Sequence, residues 1–377
     1  MKKRDFLKIV SASLVFASIP KLVSASVSPN KKRVLVLGGR NFIGPSIVRH
    51  FQQAGWEVTL LNRGLTNPHL FPELNSIICD REKEHRSGLN SIRSEIEHIQ
   101  WDSVVDTWQK SPKAVLDFIN EFKGSFKHYH YISSVSVYDD WNELGIVESS
   151  ALNTIPDFPT SIKENHRYAI RKTLAETAVM ENLENYTIYR SHGMRDFRTP
   201  DHTNPNEENY WPIRFARGGE ILLPDAKDHY YQITDVQSLC RFILNCTDNK
   251  IFGAYNVAYK PIKFKDYVNS LIKVTGKPNK LIWIPEAFLI KNGIRPYKDI
   301  SAWKPKPAGS YHFNVDKAFK NGLTNRPLEI LIKDQINGYK NRYPQDRLRY
   351  GQMFRGIKVG GLSMSREKEL IHKWLRS

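Results

Sequence analysis

The chain has 377 residues, an apolar content of 40% and a formal net charge of +17. The length suits two domains, or one domain with an appended lobe, and the apolar content is sufficient for a full core. The positive charge suits an anionic cofactor, substrate or surface and does not by itself indicate nucleic acid. The sequence has no run of eighteen uncharged apolar residues, which argues against a transmembrane helix. Three cysteines without C-x-x-C spacing, Cys79, Cys240 and Cys246, argue against a disulfide scaffold or a zinc ribbon and are expected to be buried.

Residues 1–25 have the pattern of a secretory signal. A charged start that includes Lys2, Lys3 and Arg4 precedes a mildly apolar stretch, and Val23-Ser24-Ala25 fits a small-residue cleavage site. Residues 3–8 resemble the twin-arginine export motif, with lysine in place of the first arginine. We expect a periplasmic or otherwise exported protein that uses the twin-arginine machinery and keeps no transmembrane anchor after processing. An ordinary Sec signal and a membrane-anchoring helix are the alternatives.

An apolar run at 33–37 is followed by closely spaced glycines, and a helical pattern begins at Pro45. This pattern is typical of a buried parallel strand that turns sharply into a helix. Glycines at such a turn let backbone N–H groups approach a pyrophosphate, and the helix N-terminus favours its negative charge. Asn41 replaces the middle glycine of the usual spacing, and we expect it to tolerate a left-handed backbone. The predicted dinucleotide-binding loop comprises Gly38, Gly39, Arg40, Asn41, Phe42, Ile43 and Gly44.

Strands and helices alternate after this loop. The apolar patterns predict strands at 56–61, 76–79, 103–107, 128–134 and 186–190, with a helix at 115–122 between two of them. The predicted fold is therefore α/β, a Rossmann doubly wound parallel sheet with a smaller C-terminal substrate lobe. We assign 32–190 and 231–258 to the dinucleotide-binding domain, and 191–230 and 259–377 to the lobe. Ser365 is predicted to cap a last helix with an apolar stripe of Leu370, Ile371 and Trp374.

Tyr168 and Lys172 are the candidate catalytic pair. Their spacing of four places them on one face of a helix, which Ser161 and Glu164 are predicted to start as a capping box. A lysine ammonium beside a tyrosine stabilises the phenolate and lowers its pKa, so that the tyrosine can exchange a proton with a substrate hydroxyl. The lysine can also hold the nicotinamide ribose. Two serines at the end of the fifth strand, Ser134 and the competing Ser136, can hydrogen-bond the reacting oxygen.

These elements resemble the extended short-chain dehydrogenase/reductase family, also called the NAD-dependent epimerase/dehydratase family. The resemblance covers roughly residues 32–260 and rests on Gly38-Gly39-x-x-Phe42-Ile43-Gly44, Ser133-Ser134-x-x-Val137-Tyr138, Tyr168-x-x-x-Lys172 and Ile233-Thr234-Asp235-Val236. Asn62-Arg63-Gly64, Cys79-Asp80-Arg81 and the segment 210–219 resemble a subgroup near the chloroplast stem-loop-binding proteins. The resemblance implies that Ser134, Tyr168 and Lys172 are catalytic, and it leaves a homodimer open. The chain departs from the family at Asn41 and at Arg190-Ser191, where Arg-Pro is usual.

The residues at the end of the second strand bear on the choice of cofactor. An acidic residue there selects NAD, but this chain has Asn62 followed by Arg63, and Arg40 lies in the glycine loop. Two guanidinium groups suit a 2′-phosphate, so we expect NADP, with NAD as the alternative. The resemblance implies that Asp80 contacts the adenine, and we place Arg81 beside it in the cofactor site.

Several other residues are candidates for a substrate or metal site. Trp108 is expected near the nicotinamide, and Tyr210 and Arg214 are candidates to clamp a sugar or an anion, with packing as the alternative for each. His128 and His130 share one face of a strand, but the spacing suggests no third ligand, so no metal site is predicted. Asp235 is expected to be structural.

The leading hypothesis is an exported NAD(P)-dependent oxidoreductase or epimerase with a tightly bound cofactor. Its expected substrate is a small carbohydrate-like hydroxyl or ketone compound, because nucleotide sugars are unlikely substrates outside the cytoplasm. One alternative is an RNA-binding protein of the stem-loop-binding kind, which the positive charge permits but the signal and the intact Tyr/Lys pair oppose. The other is a cofactor-binding protein without chemistry.

Overall fold

A buried parallel sheet forms the centre of the protein. The computed structural model describes residues 31–83, 87–153, 168–195, 210–342, 353–354, 357–358 and 361–377. The seven strands of the sheet are β1 (Arg33–Leu37), β2 (Glu57–Asn62), β3 (Asn75–Ile78), β4 (Ser103–Asp106), β5 (Tyr129–Ser134), β6 (Tyr186–Ser191) and β11 (Gly253–Val257). The shorter or peripheral strands are β7 (Met194–Arg195), β8 (Gly219–Pro224), β9 (Tyr230–Tyr231), β10 (Thr234–Asp235), β12 (Ile262–Lys263), β13 (Asn279–Ile284), β14 (Met353–Phe354) and β15 (Ile357–Lys358).

Helices connect and cover these strands. The helices are α1 (Gly44–Gln53), α2 (Ser87–Asn90), α3 (Arg93–Glu97), α4 (Pro112–Phe122), α5 (Tyr168–Asn182), α6 (Tyr210–Arg217), α7 (Val236–Asn249), α8 (Phe264–Thr275), α9 (Glu286–Lys291), α10 (Asp316–Lys320), α11 (Leu328–Arg342) and α12 (Met364–Leu375). No helix among the described residues is long and apolar enough to cross a membrane. The predicted export signal and the capping box at Ser161 and Glu164 lie outside the described residues.

The sheet has the order β3-β2-β1-β4-β5-β6-β11, and every neighbouring pair is parallel. The strand order reverses between β1 and β4, so a crevice opens at the carboxyl ends of these two strands. This arrangement confirms the predicted doubly wound α/β fold. It also adds β11 to the six strands that the apolar patterns predicted.

Both faces of the sheet are buried under helices. On one face, Ile47 and Phe51 of α1 pack with Leu239 and Phe242 of α7. On the other face, α4 and α5 contribute Phe118 and Val179, among other residues. Because β1 is covered on both sides, its sequence from Val34 to Leu37 is a continuous apolar run rather than an alternating one.

A second apolar core lies in the C-terminal part of the chain. It is built around the parallel pair β8–β13 and includes residues of α6, α8, α11 and α12. The last helix begins two residues earlier than the sequence predicted, because Ser363, not Ser365, is its N-cap. The Ser363 hydroxyl accepts a hydrogen bond from the Arg366 backbone N–H at 3.2 Å. The predicted stripe is confirmed, because Leu370 and Ile371 are buried in this core and Trp374 packs against it.

Candidate active site

A cavity of about 250 Å³ opens at the carboxyl ends of β1, β2, β4 and β5. The glycine loop after β1 forms one wall, and Asn62 and Arg63 after β2 form one end. Thr107 and Trp108 after β4, with Tyr168 and Lys172 of α5, form the other end. The cavity therefore brings together the two motifs that the sequence singled out, although they lie more than a hundred residues apart.

The glycine loop is shaped by positions that tolerate no side chain. Gly38 and Gly39 have φ values of +121° and +88°, which only glycine adopts without strain. A Cβ atom at Gly44 would lie 2.7 Å from the Gly39 Cα atom, so α1 can start this close to β1 only with glycine there. The non-glycine residue with left-handed backbone is Phe42, at φ +50°, and not Asn41 as the spacing suggested. The strained, left-handed residue of the turn is therefore Phe42, one position after Asn41, which replaces the usual glycine.

The β2 end of the cavity has donors without partners. The Arg40 guanidinium donates through Nη2 to the Ser76 hydroxyl at 3.0 Å, and the Asn62 Oδ1 accepts from the Gly64 backbone N–H at 2.7 Å. The Arg40 Nε and the Asn62 Nδ2 are buried and have no hydrogen-bond partner within the part of the chain that the structure describes. Arg63 is exposed at the same end. Buried donors at a cavity wall suit an oxygen-rich ligand such as a ribose or a phosphate.

Arg81 is held by an ion pair at the cavity wall. Its guanidinium donates to both carboxylate oxygens of Asp106, at 3.1 and 2.8 Å, and to the Ala114 carbonyl at 2.9 Å. The Asp106 charge raises the pKa of Arg81 against the opposing effect of burial. Asp80 does not line the cavity, and its Oδ1 accepts from the Glu82 backbone N–H at 3.1 Å. Both Nη atoms of Arg81 are thus engaged by Asp106 and Ala114, and its Nε is buried without a hydrogen-bond partner among the described residues.

Tyr168 and Lys172 lie one helical turn apart at the start of α5, as the spacing predicted. The Tyr168 ring is 39% exposed, whereas Lys172 is buried. The Lys172 Nζ donates to the Ile132 carbonyl at 2.6 Å, the Trp108 carbonyl at 2.8 Å and the Tyr131 hydroxyl at 3.1 Å. These three oxygens fix the ammonium on the sheet side of the cavity.

The pKa of Tyr168 is raised, not lowered as the sequence analysis expected. Burial raises it, and the hydrogen bond with the Ser134 hydroxyl and the charge of Arg171 lower it less. Lys172 is not among the groups that lower it. Burial lowers the pKa of Lys172 to about 7, although Asp106 and Glu176 act to raise it. In the protein alone, Tyr168 is therefore a protonated hydroxyl at neutral pH.

Ser134 and Ser136 differ in their surroundings. Ser134 ends β5, and its hydroxyl hydrogen-bonds the Tyr168 phenol and accepts from the Ser136 backbone N–H at 3.2 Å. The Ser136 hydroxyl is buried and has no hydrogen-bond partner in the described part of the chain. The geometry therefore places Ser134, and not Ser136, beside the candidate acid/base.

The structure separates the remaining substrate candidates. Trp108 lines the cavity, with its indole N–H buried and unpartnered among the described residues. Tyr210 and Arg214 lie in the second core, away from this cavity: Arg214 is 1% exposed and forms a 2.7 Å ion pair with Glu367. Their aromatic and basic pattern therefore reflects packing of the lobe.

The histidines, the cysteines and Asp235 that the sequence analysis considered have structural roles. His128 and His130 are buried, and their rings hydrogen-bond the hydroxyls of Thr187 and Tyr189 at 2.8 Å. The described residues contain no group of three or more His, Cys, Asp or Glu side chains arranged to hold a metal. Asp235 caps α7 and pairs with Arg326 at 2.7 Å, as expected of a structural residue. All three cysteines are buried and free, which confirms that expectation.

Tyr131 and Asp106, two residues that help to position Lys172 and Trp108, were not predicted from the sequence. Tyr131 donates its hydroxyl hydrogen to the Trp108 carbonyl at 3.1 Å and accepts from Lys172. Asp106 accepts from the Trp108 backbone N–H at 2.8 Å and from the Tyr129 hydroxyl at 2.6 Å. An acidic residue and two tyrosines in otherwise apolar strands were the available signal, since buried polar groups require partners.

No protein-family model matches the chain. The chloroplast stem-loop binding protein of 41 kDa b of Arabidopsis thaliana is 25% identical over 335 residues, which are 84% of this chain and 80% of that protein. The UDP-glucose 4-epimerase of Thermotoga maritima, solved with UDP-glucose, superposes with a TM-score of 0.57 at 15% identity, covering 82% of this chain and 99% of its own. The Bordetella bronchiseptica enzyme WbmH, solved with NAD+, superposes with a TM-score of 0.56 at 14% identity, covering 84% and 100%. The chain therefore shares the fold of these two enzymes.

Proposed function

We propose that this protein is a nicotinamide-dependent oxidoreductase or epimerase that acts on a carbohydrate-like hydroxyl or ketone. One observation carries the proposal: a single cavity holds the glycine loop at one wall and the Tyr168–Lys172 pair at its end. The fold is shared with an epimerase solved with its UDP-sugar and with an enzyme solved with NAD+, which supports the same class of reaction. The 25% identical relative bears only on an alternative function, considered below.

Tyr168 is the proposed acid/base. Its raised pKa keeps the phenol protonated at neutral pH, so it can donate a proton to a carbonyl oxygen that is being reduced. Ser134 hydrogen-bonds and orients the phenol in the protein alone. With substrate bound, its single hydroxyl hydrogen is donated to the same carbonyl oxygen instead. A bound nicotinamide supplies the hydride acceptor or donor. Lys172 is the proposed partner of the ribose at this end. Its three N–H donors are taken by Trp108, Tyr131 and Ile132 in the protein alone, so binding exchanges one of these hydrogen bonds for a ribose hydroxyl.

The residues at the β2 end fit an adenosine phosphate. The unpartnered Arg40 Nε and Asn62 Nδ2 belong to residues that line the cavity, and no carboxylate among the described lining residues lies at the end of β2. A carboxylate there would repel a 2′-phosphate, whereas Arg40 and Arg63 attract one. We therefore propose NADP as the cofactor, with NAD as the alternative.

The proposed location is the periplasm or another exported compartment, on the basis of the pattern in residues 1–25. Free dinucleotide is scarce outside the cytoplasm, so a cofactor that is bound before export and is reduced and reoxidised within one turnover needs no external supply. This reasoning favours a redox-neutral reaction such as epimerisation on a free or glycosidic sugar.

The decisive experiment measures cofactor and catalysis separately. The mature protein is purified from its native compartment and denatured, and the released nucleotide is identified by mass spectrometry. Stoichiometric NADP(H) supports the full proposal. Stoichiometric NAD(H) supports the enzymatic function but contradicts the proposal that Arg40 and Arg63 bind a 2′-phosphate. Tyr168→Phe should keep the nucleotide and lose turnover by a factor of about 10² to 10⁴. If Tyr168→Phe keeps full turnover, Tyr168 is not the acid/base.

A second candidate function follows from the similarity to the chloroplast stem-loop binding protein. The net charge of +17 permits phosphate contacts with RNA. Filter binding of the mature protein to a stem-loop RNA at 150 mM salt, together with cell fractionation, tests it. Tight RNA binding without bound nucleotide would replace the enzymatic proposal.

A further inference from the structure

The β6 side of the active site carries side chains that no step above uses. Ser134 at the end of β5 is the register partner of Ser191 at the end of β6, and neighbouring strands lie about 4.8 Å apart. His192 follows Ser191 in the chain. It therefore lies one residue past the point in the sheet where Ser134 contacts Tyr168. The glycine loop lies in the opposite direction across the sheet, after β1. His192 therefore lies at the same edge of the sheet as the cavity, which Met194, two residues further along the chain, lines.

His192 is a neutral acceptor in this position. Its Nδ1 lies 2.8 Å from the Gln232 carbonyl oxygen, and a carbonyl can only accept, so Nδ1 carries the hydrogen and Nε2 carries the lone pair. Tyr311 and Phe313 pack against the ring, with centroids 4.9 and 5.3 Å away. Burial lowers the pKa of His192 to about 4, which keeps the ring uncharged at neutral pH.

Lys304 is a half-buried cation next to this histidine. Its ammonium lies 4.7 Å from the centre of the Trp141 ring and 5.6 Å from that of Tyr297. Within the described ranges it has neither a carboxylate nor another hydrogen-bond acceptor, unlike Lys227 and Lys265, which pair with Asp225 and Asp228. The Trp141 ring under Lys304 contacts Phe313 at 5.4 Å between centroids, and Phe313 packs against His192 at 5.3 Å, so Lys304 and His192 border the same aromatic cluster.

A partly desolvated ammonium without a counter-ion is costly, and aromatic rings offset only part of that cost. Trp141 is fixed by the hydrogen bond from its indole N–H to the Tyr138 carbonyl at 2.9 Å and by its edge-to-face contact with Phe313. The position of the ammonium is therefore defined by the fold. An anion that enters from the active site would complete its coordination.

We propose that Lys304, with His192 beside it, forms a subsite for the anionic group of the substrate, so that the substrate is an acidic carbohydrate rather than a neutral one. Lys304 pairs with a carboxylate or a phosphate, and the His192 Nε2 accepts from a neighbouring sugar hydroxyl. This inference rests on the proposed function and specifies the substrate class of that same site.

The test compares three probes on the purified holoprotein by isothermal titration calorimetry. The probes are D-glucuronate, D-glucose 6-phosphate and D-glucose, so the two anionic sources are distinguished from each other and from the neutral sugar. We expect at least one anionic probe to bind about tenfold or more tightly than glucose, which is the size of a charge-assisted hydrogen bond. Equal affinity for all three probes, or preference for glucose, overturns the subsite.

Three variants test whether the preference for the anionic probe depends on Lys304. Lys304→Met should abolish the preference, Lys304→Arg should keep it, and Lys298→Met, at an exposed lysine of the same segment, should leave it unchanged. A preference that survives in Lys304→Met overturns the assignment. A second measurement requires no variant. In the unaltered protein, rising sodium chloride concentration should weaken the binding of the anionic probe and leave the binding of glucose unchanged. An equal effect on the two affinities contradicts the subsite.

The nucleotide content of the same samples separates the two proposals. Bound nucleotide without an anionic preference removes the subsite and leaves the proposed function. An anionic preference without any bound nucleotide removes the proposed function.

Discussion

Replacing Asp106 with asparagine tests the buried ion pair beneath the cavity. The Arg81 and Asp106 side chains are 3% and 0% exposed, and their shortest contact is 2.8 Å. Asp106 also accepts from the Trp108 backbone N–H and the Tyr129 hydroxyl. The asparagine has nearly the same shape, but its amide nitrogen is a donor that faces other donors. Asp106→Asn therefore leaves the Arg81 guanidinium buried without a counter-charge.

The expected loss of unfolding free energy is about 3–5 kcal/mol, the cost of removing one partner of a buried ion pair. This is a large share of a total stability of about 5–15 kcal/mol. The matched control is Glu57→Gln, whose pair with Arg33 at 3.2 Å is about half exposed on both sides. Such a surface pair contributes about 0–1 kcal/mol.

Urea unfolding followed by circular dichroism measures both variants. The double variant Arg81→Met with Asp106→Leu should recover part of the loss, because it removes both charges together. If Asp106→Asn costs no more than Glu57→Gln, the pair is solvated and the reasoning from burial is refuted.

Three further predictions concern the site and its pH dependence. Gly44→Ala should abolish cofactor retention, because its methyl group would lie 2.7 Å from the Gly39 Cα atom, while Gly124→Ala, in open space, should not; released nucleotide measures both. Tyr131→Phe should slow turnover about two- to tenfold in steady-state kinetics, since Lys172 loses one of its hydrogen bonds. The folded pKa values of His128 and His192, about 4, lie below the unfolded value of 6.5, so stability should fall as the pH drops from 6.5 to 4, by about 1.4 kcal/mol per pH unit for each residue. Urea unfolding at several pH values measures this, and His128→Gln should lower the slope by one such share.

Each of these has an outcome that contradicts it. Full nucleotide content in Gly44→Ala would show that the loop can open, and unchanged turnover in Tyr131→Phe would show that Lys172 needs only its two carbonyl partners. A pH slope that is the same with and without His128 would place that ring in contact with water.

The strands, the glycine turn and the Tyr168–Lys172 face were predictable because they depend on local order along the chain. A continuous apolar run indicates a strand covered on both sides, and a spacing of four indicates one helical face. Two local predictions were wrong where neighbouring residues can take the same role. Ser363, not Ser365, is the N-cap of α12, and Phe42, not Asn41, has the left-handed backbone in the glycine loop. There the outcome depends on which residue the neighbouring packing selects.

The partners of the charged groups were not predictable from the sequence, because they come from distant segments. Arg214 is paired with Glu367, 153 residues away, and Lys172 is held by carbonyl and hydroxyl oxygens 40 to 64 residues away. The same holds for the pKa of Tyr168, which the sequence analysis expected to be lowered by its helical neighbour and which burial raises instead. The fold and the edge of the sheet where the candidate site lies were predictable from local patterns, because backbone geometry is encoded over a few residues. Ionisation and hydrogen bonding depend on distance and solvent exclusion, and these exist only once distant segments have packed together.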